Sequence, residues 1–139
     1  MPSNECYSYL IKILNLKDYS KQELINKSLQ KNFTEIETIE TIERILNLNY
    51  INDRRLADNI LEFYSKNHGG YMIRQKLEQR LIEEDIIESV LENLEMDYSE
   101  ITRTVTTKFD LTEFKQKQKA YRYLMTRGYD SSDIREIIR

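Results

Sequence analysis

Asn49-Tyr50-Ile51-Asn52-Asp53-Arg54-Arg55-Leu56-Ala57 joins one helical pattern to the next, and the elements on either side of it recur along the chain. Three tripeptides mark the recurrence: Lys31-Asn32-Phe33, Arg80-Leu81-Ile82 and Arg127-Gly128-Tyr129. Each is a cation, a variable residue and a large apolar residue. Their cations stand 49 and then 47 residues apart, a period of about fifty residues that accommodates three short helices per unit.

After each tripeptide comes a polar start and an isoleucine-rich run. Ile36, Ile39, Ile42 and Leu46 follow Thr34; Ile86, Ile87, Val90, Leu91 and Leu94 form the second set; Ile134, Ile137 and Ile138 follow Asp130. Spacings of three and four belong to a helix, not to the alternation of a strand. Aligned on the tripeptides, Ile87 matches Ile134 and Val90 matches Ile137, and the isoleucines of the first unit require one extra residue to join them.

The 139 residues suit one compact domain or one short array, and 40% apolar with 32% charged residues supports a thin helical core. With one proline and three glycines, helix starts are marked mainly by side-chain acceptors. Ser20-Lys21-Gln22-Glu23 and Thr34-Glu35-Ile36-Glu37 both have capping-box spacing. His68-Gly69-Gly70 is the clearest central break, read as glycine closing a helix in the left-handed conformation.

The pattern predicts nine helices in three triplets: 3–16, 20–31 and 35–48; 53–67, 71–81 and 84–95; 97–109, 112–127 and 131–139. The seventh is open to fraying, because Thr102, Thr104, Thr106 and Thr107 are poor helix formers. The expected fold is all-α: three tandem three-helix repeats, 1–50, 51–96 and 97–139, in an elongated, curved array whose units lean on each other. Such an array presents an extended surface rather than a deep pocket, and a monomer is expected.

No stretch reaches the roughly twenty apolar residues of a membrane span, and no targeting signal is recognisable, so a cytoplasmic protein without a membrane partner is expected. A single cysteine, Cys6, precludes an intramolecular disulfide and fits a reducing compartment. One histidine and one cysteine make a zinc or iron site improbable. His68 reads as a solvated helix end, since a catalytic histidine needs an orienting partner. Without a phosphate loop or nucleophile elbow, no enzyme signature and no cofactor site is found.

The basic residues carry more information. Lys115, Lys119 and Arg122 fall on one helical stripe, and Phe114, Tyr121, Leu124 and Met125 on another, which reads as a cationic front and an apolar back. An acidic partner surface, nucleic-acid phosphates and an ordinary solvated face all fit that front. Arg54, Arg55, Arg74, Lys76 and Arg80 add cations in the second unit, whereas Glu35, Glu37, Glu40 and Glu43 crowd the first unit's third helix. A net charge of −3 argues against nonspecific nucleic-acid affinity as the main activity. Tyr50, Tyr71 and Tyr129, at unit junctions, are read as core; Tyr9, Tyr64 and Tyr123 fit core or contact roles equally.

These residues resemble the RecX family, the small regulators of the RecA recombinase, over nearly the whole chain. Tyr50-Ile51-Asn52-Asp53-Arg54-Arg55-Leu56-Ala57 is similar to the family's gly-tyr-ile/leu-asn-asp-x-x-phe-ala signature, with Tyr50, Asn52, Asp53 and Ala57 as its matching positions. Ser20-Lys21-Gln22-Glu23-Leu24 with Lys27 is similar to its ser-x-x-glu-leu-x-x-lys segment, and Gly70 to Leu77 followed by Arg80 to its gly-x-x-x-ile-x-x-x-leu-x-x-lys-gly segment. Asn32, Asn49 and Leu81 stand where the family has glycine, Ser28 where it has leucine, and Leu56 replaces the aromatic. Asparagine tolerates a positive φ; a leucine pays to adopt one.

The resemblance implies a bent all-α protein lying along the groove of the RecA filament on DNA, hindering ATP-linked transitions, filament growth and strand exchange by binding rather than catalysis. Arg54, Arg55, Arg74, Lys76, Lys115, Lys119 and Arg122 are the candidate partner-binding residues, meeting recombinase carboxylates or filament phosphates. Asp53 either caps or pairs within the fold or touches the partner, and Ala57 is small for packing. A helix-turn-helix-like DNA-binding module and an adaptor for another protein are the alternatives.

Overall fold

The structure, a computed structural model, describes residues 4–139; residue 3, where the first helix is expected to begin, lies outside them. Among the described residues there are nine α-helices and no strand. They are α1 (Asn4–Leu14), α2 (Lys21–Gln30), α3 (Glu35–Asn47), α4 (Asp53–Ser65), α5 (Gly70–Gln79), α6 (Glu84–Glu92), α7 (Ser99–Lys108), α8 (Phe114–Thr126) and α9 (Ser131–Ile137). The predicted helices overlie these one for one, and α7 forms despite its threonines because Ile101 and Val105, a turn apart, are fully buried.

One turn recurs after the second helix of every unit. At Asn32, Leu81 and Gly128 the backbone takes φ of 71°, 57° and 90°. The amides of these residues donate to Leu29, Glu78 and Met125, and those of Phe33, Ile82 and Tyr129 reach back to Ser28, Leu77 and Leu124. This paired pattern is the Schellman closure, which satisfies otherwise orphaned carbonyls and turns the following apolar residue inward. The middle residue of each tripeptide is thus the left-handed position. Asn49, with φ of 60°, closes α3 in the same way.

Three clusters form the core. Cys6, Leu10, Leu24, Ile42, Ile45 and Ile51 gather in the first, Leu56, Ala57, Ile73, Leu77, Ile82, Ile87 and Val90 in the second, and Ile101, Val105, Ala120, Leu124, Tyr129, Ile134 and Ile137 in the third. The first unit departs from the expected pattern. Ile36 and Ile39 are 71% and 58% exposed, while Thr38 and Thr41 are buried. No extra residue is inserted: at the repeat spacing Thr38 occupies the place of Ile87 and Ile134, and Thr41 that of Val90 and Ile137. Ser28 stands where Leu77 and Leu124 stand. Its hydroxyl bonds Thr38 Oγ1 at 2.6 Å and Cys6 Sγ at 3.3 Å, so these three groups satisfy one another where the other units use aliphatic contact, while the Thr41 hydroxyl has no partner among the described residues.

Further corrections concern glycines, tyrosines, caps and α8. Neither Gly69 nor Gly70 is left-handed: Gly69 is the extended N-cap of α5 and Gly70 is its first residue. Tyr50 and Tyr71 are exposed, and only Tyr129 of the three junction tyrosines is core. Ser20 forms a full capping box with Glu23, whereas Thr34 accepts from the Glu37 amide without the return bond. On α8 the buried residues are Ala120 and Leu124; Phe114, Tyr121 and Met125 face solvent.

The Gly69 requirement is close approach. Its amide donates to the Arg127 carbonyl at 2.8 Å, and the Tyr71 amide donates to the Gly128 carbonyl at 3.2 Å. A Cβ on Gly69 would lie 2.3 Å from the Gly128 carbonyl oxygen, and one on Gly128 would lie 2.4 Å from the Met72 backbone nitrogen. The second and third units therefore meet backbone to backbone. Gly128→Ala is expected to cost about 2–4 kcal/mol, from the left-handed penalty plus overpacking. Gly70→Ala, in open space at the first residue of α5, is expected to stabilise by about 0.4–1 kcal/mol by lowering the entropy of the unfolded chain; chemical denaturation of the pair checks both signs.

Candidate partner-binding surface

Each residue of the segment from Tyr50 to Ala57 has a distinct place. Tyr50 follows the left-handed Asn49, and Ile51 drops into the first core. Asn52 is the N-cap of α4, accepting from the Arg55 amide at 3.0 Å. Asp53 serves a different helix: its Oδ1 accepts from the Lys21 amide at 2.9 Å, in the first turn of α2. The neighbouring Asn-Asp pair thus caps two helices at once. Leu56 and Ala57 are buried in the second core.

The repeated cations also tie units together. Arg80, closing α5, donates Nε to Glu23 Oε2 at 3.0 Å and a terminal nitrogen to the Asp18 carbonyl at 2.7 Å, bonding the first unit from the second. One repeat later, Arg127 closes α8 and reaches His68 Nε2 at 3.4 Å. Lys31, the first of the three, lies 5.5 Å over the Tyr9 ring of its own unit. His68 is consequently a joint residue rather than a solvated helix end: Nδ1 meets Asn67 Oδ1 at 2.6 Å and the ring sits edge-on to Tyr64.

Electrostatics follow these contacts. Burial, reinforced by Arg127, holds the His68 pKa below its ordinary value. Burial pushes the Glu23 carboxyl up, but its bonds from Arg80 and the Ser20 amide outweigh that and leave it below the usual glutamate value. Asp53 moves the other way, raised by burial and by the nearby Glu83 despite its bond from Lys21.

The candidate cations divide into engaged and free. Arg54 pairs with Asp58 at 3.3 Å and donates to Ser89 Oγ at 2.8 Å, linking α4 to α6. Arg74 holds Glu84 at 2.6 Å, and Lys76 lies 5.4 Å over the Tyr64 ring, so Arg74 and Lys76 point toward different neighbours. Arg55 is exposed beside a small cleft shared with Tyr50, Tyr19 and Asp18. Lys115, Lys119 and Arg122 are all exposed on α8 and make no ion pair among the described residues.

The sequence pattern left Lys117 out of this surface and assigned Phe114 and Tyr121 to the apolar back of the helix. Lys117 continues the α8 charge, and Phe114, 74% exposed, and Tyr121 interleave with it. The signal was composition: α8 carries four cations and no carboxylate. Among the described residues no group of His, Cys, Asp and Glu could hold a metal, and no helix is long and apolar enough to cross a membrane.

A family model described as RecX, third three-helix domain, matches residues 106–138, the span that holds α8 and α9. Regulatory protein RecX of Haemophilus influenzae strain PittEE is 32% identical over 143 residues, covering 98% of this chain and 94% of that protein. The chain belongs to the RecX family. Regulatory protein RecX of Pasteurella multocida strain Pm70 is 31% identical over 134 residues, covering 91% of this chain and 82% of its own. The crystal structure of RecX from Lactobacillus salivarius superposes with a TM-score of 0.83 at 22% identity, covering 96% of this chain and 92% of that one. That structural likeness supports the tandem all-α RecX fold.

Because the folded-state pKa of Glu23 is depressed, the Arg80 contact contributes fully above the ordinary glutamate value of 4.5 and is lost as pH falls through the folded value. Arg80→Ala is expected to cost about 1.5–3 kcal/mol at neutral pH. Glu23→Gln is expected to flatten the acid limb of stability; urea melts from pH 3 to 7 read both.

Proposed function

We propose that this RecX-family chain is a regulator, mainly an inhibitor, of the RecA recombinase. It lies along the groove of the recombinase–DNA filament in the cytoplasm, with residues 1–50, 51–96 and 97–139 acting as successive contact modules. Bridging neighbouring protomers, it obstructs their ATP-linked transitions and so slows hydrolysis, filament growth and strand exchange. It acts by binding, without chemistry of its own.

The observation that carries this reading, beside family membership, is the unpaired cationic face of α8, from Lys115 through Arg122. Unpaired charges on a rigid helix steer association and cost no intramolecular bond when they meet a carboxylate or phosphate. The Arg80 and Gly69–Gly128 joints support it further. Preset spacing between patches lets modest contacts add through effective concentration. Arg55 is the second-unit cation best placed to join them, whereas Arg54 and Arg74 must first give up internal partners.

Aromatic residues between the α8 cations favour one second reading, direct binding of naked DNA. Neutralising four phosphates predicts a log–log salt slope of about −3.6 on duplex DNA. The two readings separate in one experiment, single-stranded-DNA-dependent ATP hydrolysis by the cognate recombinase with increasing amounts of this protein. Potent inhibition is expected, weakened at least about tenfold by Lys115→Ala, Lys119→Ala and Arg122→Ala together. Unchanged hydrolysis and no co-sedimentation with the filament would remove the regulator reading; binding to naked duplex with the steep salt slope would replace it.

A further inference from the structure

Helix α3 buries Thr38 and Thr41 while exposing Ile36 and Ile39 one turn apart, and the buried Thr41 hydroxyl has no hydrogen-bond partner among the described residues, an uncompensated cost. Ile36 and Ile39 are rimmed by Glu35, Glu40 and Glu43, and with Glu37 the helix carries four carboxylates. Its only cation, Arg44, is stacked 4.0 Å over the Tyr7 ring. The outer face is therefore an apolar pair inside an acidic border.

The third unit presents the complement. Phe114, Tyr121 and Ile138 border an open groove of about 380 Å³ together with Lys117 and Arg122, and α8 carries four cations with no carboxylate. An aromatic-walled groove with a cationic rim complements an isoleucine pair with an acidic rim in apolarity and in sign of charge. We propose that a second copy of this chain docks here head to tail, the α3 face of one molecule seated in the α8 groove of the next. The two surfaces lie on different units, so each molecule carries one ridge and one groove, and a head-to-tail contact leaves one of each free to take a further copy. The groove shares Arg122 with the α8 face proposed to meet the recombinase, so self-association and filament binding compete for this helix. Exposed charges on both sides make the association weak at ordinary salt and concentration, so the isolated chain is monomeric when dilute.

Sedimentation of the nuclease-treated protein alone, without recombinase or DNA, tests the contact independently of the regulator reading. At low ionic strength the weight-average mass is expected to rise with concentration and to fall back to the monomer at about 0.5 M salt. Ile36→Lys with Ile39→Lys, and Phe114→Glu with Lys117→Glu, are each expected to remain monomeric. Their equimolar mixture retains one intact α3 face and one intact groove, and is expected to give a species of about twice the monomer mass and nothing larger. A wild-type chain that stays monomeric throughout, double variants that still associate, or a mixture that does not pair would each overturn the proposal, including capture of these faces by another protein or by DNA alone. Should a double variant unfold, chains bearing Ile39→Cys and Gln118→Cys read the same contact: mixed disulfides outnumbering self-pairs support it, and no excess contradicts it.

Discussion

The left-handed turn after the second helix of each unit is the constraint on which the rest depends. Placing Asn32, Leu81 and Gly128 at positive φ lets Phe33, Ile82 and Tyr129 turn back toward their cores and sets the direction of the third helix. It also fixes where the preceding cation sits. Arg80 and Arg127 then reach an earlier unit, so one local backbone device both ends a helix and positions a joint. Leu81, at φ of 57°, pays a steric penalty of about 1–2 kcal/mol for a conformation that asparagine and glycine take more cheaply, and the surrounding packing offsets it.

The two joints use different chemistry at matching places in the repeat. Between the first and second units a half-buried guanidinium–carboxylate contact is flanked by Asp53 capping α2. Between the second and third, glycine removes the side chains and backbone amides meet backbone carbonyls directly. The first joint is sensitive to charge and the second to volume. Both bond neighbouring units directly to each other, through a few named contacts rather than a broad packed face.

Much of this was legible in the residues. Nine helices followed from spacing and capping, and the recurring tripeptides gave the repeat, because short-range patterns report local structure directly. The resemblance around Tyr50 to Ala57 identified the family, but not that Asn52 and Asp53 cap different helices, since Lys21 lies 32 residues away. Gly69 was misread for a related reason: its partner is 59 residues further on, and no local pattern encodes that approach. The register of α3 was lost by following the isoleucines rather than the tripeptide spacing, which already placed Thr38 and Thr41 inside. On α8, hydrophobicity suggested an apolar back, yet Ala120 and Leu124 suffice for packing, and the larger side chains remain outside.

The proposed α8 contact with the recombinase rests on units joined through Arg80 and through Gly69 and Gly128. Its most direct test places a photo-crosslinking residue at Gln118, between the α8 cations, and a control at exposed Lys66 at the end of α4. Position 118 is expected to capture the recombinase in the DNA-bound filament, with capture that fades as salt is added, and position 66 to give little. Equal capture from both positions, or none from 118 while the filament is still inhibited, would contradict it.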